Sequence, residues 1–140
     1  KLWGGLGADT ITGNGGADIF SWTGSTDYSG VSESTADTIT DFVSGTDQLK
    51  LGLSGNATTN TGNYVEASSS VGSFSAALSA ANIALNTLNG TSSAGKLYAF
   101  QYDSGNGYLF KDYDSDGIAD GMLILTGIDH TEIAHSDIIA

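Results

Sequence analysis

Apolar residues recur at every ninth position at the start of the chain. Leu2, Ile11 and Phe20 keep that spacing, and so do Asp9, Asp18 and Asp27. Residues 4–12 read G-G-L-G-A-D-T-I-T and residues 13–21 read G-N-G-G-A-D-I-F-S. Each copy joins a polar, glycine-rich stretch of six to three residues whose middle one is apolar. That pattern predicts a tight turn followed by a short strand, repeated. The opening Lys1-Leu2-Trp3 fits positions seven to nine of a preceding copy, so the array is expected to start upstream. Residues 22–27 keep Asp27 but only one glycine, Gly24, so the register decays there. Asp37 follows ten residues after Asp27, with Ile39 two beyond it.

The period then changes. Residues 52–72 are rich in Ser, Thr, Asn and Gly and predict a long loop or weak strands. Phe74, Leu78, Ala81, Leu85 and Leu88 recur at helical spacing, with Ser73 placed to cap the start and Asn89-Gly90 to close the end. This predicts a helix over 74–89 packed on a sheet. Residues 96–102 alternate as a strand, Asp103-Ser104-Gly105-Asn106-Gly107 forms a turn, and 108–111 pair back as a hairpin. Residues 122–125 predict one more strand.

The nonapeptides have a direct physical reading as a parallel β-roll. Six residues make a turn needing unusual backbone angles, hence Gly, and Asn14 substitutes at one such position because Asn tolerates positive φ. Three residues make a strand with its apolar residue inward. Successive strands fall on alternate sheets, so turns 18 residues apart stack. The expected stacks are 4–9 on 22–27, and 13–18 on the turn ending at Asp37. Facing aspartates and carbonyls would supply the crowded oxygens that Ca²⁺ takes. The candidate ligands are Asp9, Asp18, Asp27 and Asp37, with Gly4, Leu6, Gly7, Gly13, Gly15, Gly16 and Gly24 in the turns. The expected fold is mainly β: a roll of two complete repeats with a decaying edge over 1–51, then a β-rich cap with one helix over 52–140.

Charge supports a cationic partner. The chain carries 16 Asp+Glu against 4 Lys+Arg, a net charge of -12. A fold this acidic repels itself unless something neutralises it. Nucleic acid and anionic membrane surfaces need Lys and Arg that are scarce here. Cys is absent, which excludes disulfides and thiolate metal sites. No run of 18 apolar residues predicts a membrane span.

These motifs resemble the RTX family of calcium-binding proteins exported by type I machinery. The resemblance extends through Ala36-Asp37-Thr38-Ile39-Thr40-Asp41-Phe42 and Gly45-Thr46-Asp47-Gln48-Leu49, which is similar to the closing segment of serralysin-type C-terminal domains. It implies that Asp27 and Asp37 help complete the last calcium sites. Asp41 stays open between ligand and turn cap, and Asp47 is expected to fix its turn. The ending Ser136-Asp137-Ile138-Ile139-Ala140 resembles the uncleaved export signal of such proteins. The resemblance thus implies a secreted or cell-surface location, with calcium, the ABC exporter and an upstream passenger as partners.

A second acidic feature is Asp112-Tyr113-Asp114-Ser115-Asp116-Gly117-Ile118-Ala119-Asp120. It opens like an EF-hand loop, but position twelve is Leu123 rather than Glu. Two readings stay open: a calcium loop holding Asp112, Asp114, Asp116 and Asp120, or a plain hairpin turn. His130 and His135 are five apart and do not form H-E-x-x-H, so zinc catalysis is not expected. No nucleophile set or phosphate loop occurs. The expected function is a non-catalytic calcium-binding secretion and folding module. The alternatives are a calcium-dependent structural or adhesive module with self-association, or the non-catalytic end of a secreted hydrolase.

Overall fold

Two β-sheets and one helix stack in three layers in the computed structural model, which describes residues 1–23, 30–58 and 62–140. The candidate ligands Gly24 and Asp27 lie outside the described residues. The first strands are short, as a three-residue apolar-centred unit requires: β1 (Thr10–Ile11), β2 (Ile19–Ser21), β3 (Asp37–Ile39) and β4 (Gln48–Lys50). They alternate between sheets. β1 pairs with β3 and β2 with β4, both parallel. Leu2 extends the second sheet through a parallel bridge to Phe20.

The remaining strands are β5 (Tyr64–Glu66), β6 (Leu97–Tyr102), β7 (Asn106–Asp112), β8 (Gly121–Thr126) and β9 (Ile138–Ile139). The larger sheet runs β1-β3-β8-β7-β6-β5 and the smaller runs β2-β4-β9. The expectation of a parallel β-roll holds only at the coarser level, since the described residues are mainly β with one α-helix and the larger sheet is mixed. The short links β6–β7 and β7–β8 make those neighbours antiparallel. β3 and β8 pair in parallel across a much longer connection.

The stacking of turns differs from the 18-residue expectation. Thr10 pairs with Thr38 and Ile19 with Gln48. The turn 13–18 therefore faces 41–47, not the turn ending at Asp37, and Asp37 faces Asp9 instead. The reason is the stretch between β2 and β3. Its sequence departs from the nine-residue unit, and β2 before it lies in the smaller sheet while β3 after it lies in the larger.

Helix α1 (Phe74–Asn89) forms where its apolar stripe predicts, with the Ser73 side chain accepting the Ala76 amide at 3.2 Å. Its Ala77, Ala81 and Leu85 are buried against Leu97, Ala99, Phe110 and Met122 of the larger sheet. The other face of that sheet meets the smaller sheet through Ile11, Ile39, Leu109, Leu123, Phe20 and Leu49. Because the larger sheet is covered on both faces, β6 and most of β7 and β8 are buried at successive positions rather than alternately.

Candidate metal centre

The turns of the first half are held by aspartates that reach from one rung to the previous one. Asp37 Oδ1 accepts the Asp9 amide at 2.8 Å. Asp41 accepts the amides of Gly13 and Asn14 at 2.9 and 2.7 Å. Asp47 accepts the Asp18 amide at 2.9 Å and, at 2.9 Å, the Val43 amide of its own turn. Asp47 thus fixes its turn as expected and also ties that turn to the one before. In each of these bonds a turn amide donates to an aspartate side-chain oxygen.

Glycine serves two separate needs here. Gly7 and Gly16, the fourth residue of each unit, have φ of +107° and +114°, which side chains rarely adopt. Asn14 takes φ of 64°, the left-handed angle expected of it. Gly4 and Gly13, the first residue of each unit, are needed for space. A Cβ on Gly4 would come within 3.2 Å of Asp9 Oδ2 and Asp37 Oδ2, and one on Gly13 within 2.7 Å of Asp18 Oδ2. The missing side chain lets carboxylates close on the backbone of the turn. Leu6 points its side chain outward, 82% exposed.

Asp9 and Asp37 come together at Gly4. Asp37 is fully buried, and its Oδ2 accepts the Trp22 indole N–H at 2.6 Å. Burial pushes its carboxyl above the usual range, although the Asp9 amide and the Trp22 indole act against that rise. Asp9 Oδ2 is buried and has no hydrogen-bond partner. A buried carboxylate oxygen left in that state costs free energy unless a cation meets it.

The second acidic loop, between β7 and β8, is organised locally. Asp112 is fully buried and accepts the amides of Ser115 at 2.6 Å and Gly117 at 2.9 Å. Burial pushes its carboxyl up, and the nearby Asp116 and Asp120 add to that against the two amides. Asp116 accepts the Ile118 amide at 2.8 Å, and Asp120 the Tyr113 amide at 2.7 Å. Carboxylate oxygens of Asp112, Asp114 and Asp116 lie within 4.8 Å of one another, close enough to gather on one ion. The loop rests on α1, where Asn82 accepts the Ala119 amide at 2.9 Å. Gly117, at φ +89°, approaches Asn86 so closely that a Cβ would meet its Cα at 2.9 Å.

Three further residues belong to this framework and carry no periodic sequence signal. Trp22 holds Asp37. Lys111 is buried in β7, its Nζ 5.9 Å from the centre of the Trp22 ring and 5.7 Å from that of Tyr113. Asp137, also buried, accepts the Ser44 hydroxyl at 2.6 Å and the amides of Gly45 at 3.0 Å and Ala134 at 2.8 Å. The histidines do not converge: His130 stacks on Tyr102 at 5.2 Å, and His135 lies 6.4 Å from Tyr64 at a tilt.

Alternating short parallel strands, stacked Asp–Gly turns and a mixed sheet backed by a helix define a β-rich module organised around carboxylate turns. The chain belongs to the family described as peptidase M10 serralysin C terminal, whose model matches residues 2–101. That family is the non-catalytic C-terminal part of serralysins, which are secreted proteins. No curated protein matches the chain. Among the described residues, no helix is long and apolar enough to cross a membrane.

Proposed function

We propose that this chain is a calcium-binding C-terminal module that folds on calcium after type I export. Residues 1–51 form the calcium-loaded β-roll, and residues 52–140 form its cap and end in the export signal. The observation that carries this reading is Asp9 Oδ2, buried without a partner and crowded with Asp37 Oδ2 against Gly4. An all-oxygen set of carboxylates and turn carbonyls suits a hard divalent ion and not a soft one. Asp9 and Asp37 would hold an ion on one side of the roll. Asp18 and the carbonyls of 13–16 would serve the opposite side. Asp41 and Asp47, both engaged with backbone amides, act as turn caps. The loop of Asp112, Asp114 and Asp116 is a further calcium position, with Asp120 closing it.

Calcium would supply positive charge that removes carboxylate repulsion. Without it, glycine-rich turns carry a large ordering entropy and the chain stays loose enough to thread an exporter. Each site at about ten times its Kd adds roughly 1.4 kcal/mol of stability. Three sites would add about 4 kcal/mol, a large share of a domain's typical 5–15 kcal/mol. Circular dichroism with calcium and with EGTA tests this. Loss of β signal and a lower melting point on chelation are expected, and an unchanged spectrum and melting point reject the reading.

A structural or adhesive role is the second reading. It is favoured by Trp3 and Leu6, 64% and 82% exposed. Sedimentation with added calcium separates the two, since ordered oligomers support adhesion and a monomer supports the folding module.

A further inference from the structure

Lys111 is a cation placed inside an acidic protein. Only 1% of its surface is exposed, and it is one of 4 Lys+Arg in a chain of net charge -12. Residues on a strand alternate between faces. Leu109 and Ile39 both pack in the core between the two sheets. Lys111 and Asp37, each two residues away from one of them, therefore point into the same space. Across β8, the residue opposite Lys111 is Gly121, which carries no side chain. Trp22 joins the two groups, lying under the Lys111 ammonium and donating its indole N–H to Asp37. The ammonium field also works against the burial effect on the Asp37 carboxyl.

We propose that Lys111 is a tethered cation that competes with calcium for the Asp9 and Asp37 carboxylates. It supports the folded state when no ion is bound and weakens ion binding at that pair. The proposal rests on the calcium reading of those two residues. The physics is repulsion between a divalent ion and a buried ammonium, which solvent screens less than it would at the surface. It gives Lys111 opposite effects on two readouts, whereas a lysine that only filled space would affect both in the same direction.

The test uses the full chain with Lys111→Met, which keeps the aliphatic length without the charge, and Lys111→Arg, which keeps the charge. Calcium is titrated against tryptophan fluorescence, with Trp22 as a built-in reporter, and melting is followed in EGTA and at saturating calcium. The Met variant should melt lower than wild type in EGTA, yet reach its calcium midpoint at about tenfold lower calcium. Its melting point at saturating calcium should equal or exceed that of wild type, a readout that works even if it is unfolded in EGTA. The Arg variant should keep the wild-type midpoint. A Met variant with an unchanged or higher midpoint, or one that stays less stable than wild type at saturating calcium, overturns the role of Lys111 alone. A wild-type chain with no calcium response overturns the calcium reading and this inference together.

Discussion

The two aspartate-rich regions satisfy their carboxylates over very different distances along the chain. In the first half, Asp37, Asp41 and Asp47 accept amides 27 to 29 residues earlier. In the loop 112–120, each aspartate accepts amides from within seven residues of itself. The first arrangement stitches rung to rung and cannot form until distant turns meet. The second closes on itself and needs the rest of the fold only as a platform. The same residue type thus serves global assembly in one place and local turn geometry in the other. A carboxylate in the stitched region couples its loss to the whole fold.

The sharpest way to break this contrast is Asp47→Ala. It strands the amides of Asp18 and Val43 and should cost about 3 kcal/mol in urea unfolding. Hydrogen exchange should accelerate at Asp18, 29 residues away, as well as at Val43. An effect confined to 43–47 would mean that the stitch carries no stability. Asp112→Ala removes a buried acceptor of two amides and should cost about 2 kcal/mol. Its faster exchange should stay within 113–120 and the adjoining face of α1; spread into 9–18 would erase the distinction between the regions.

A smaller effect is expected at the hairpin turn before β7. Asp103 accepts the amides of Gly105 and Asn106 at 2.8 and 2.9 Å and the Tyr108 hydroxyl at 2.8 Å. Burial alone would raise its carboxyl, but these three donors outweigh it and hold it below the ordinary value of 3.8. A carboxyl lowered in the folded state adds stability above its unfolded value, and that stability is lost as pH falls through the folded value. Asp103→Asn should therefore cost about 1 kcal/mol at pH 7 and progressively less below pH 3.8. Melting curves of both proteins across that range check it, and a pH-independent difference would show that charge at this turn is irrelevant.

Local signals were legible in the sequence and long-range ones were not. Ser73, the apolar stripe and Asn89-Gly90 mark α1 because capping and helical period act within a few residues. The turn at 103–107 was legible for the same reason, as Asp103 bonds to amides two and three residues ahead. The nonapeptides revealed which residues turn and which point inward, including Asn14 at its left-handed angle. They misled about stacking, because the nine-residue register is lost before Asp37 and nothing there announces that β3 joins the larger sheet. Lys111 looked like an ordinary hairpin lysine, since only the pairing of β8 with β3 brings it beside Trp22 and Asp37. Asp137 looked like part of a terminal signal, and its three partners lie on the turn 43–47 and at Ala134.

Asp137 and β9 set an order of events for the polypeptide. β4 gains its outer neighbour only from Ile138 and Ile139, and the Gly45 amide waits for a carboxylate 92 residues further along. While the chain is still emerging from a ribosome, the smaller sheet has an open edge and Ile138 has not yet filled its place in the core. Closure therefore certifies that the chain has arrived through residue 139. A copy cut short by a stalled ribosome or a trimming protease would lack this final stitch and stay open to degradation.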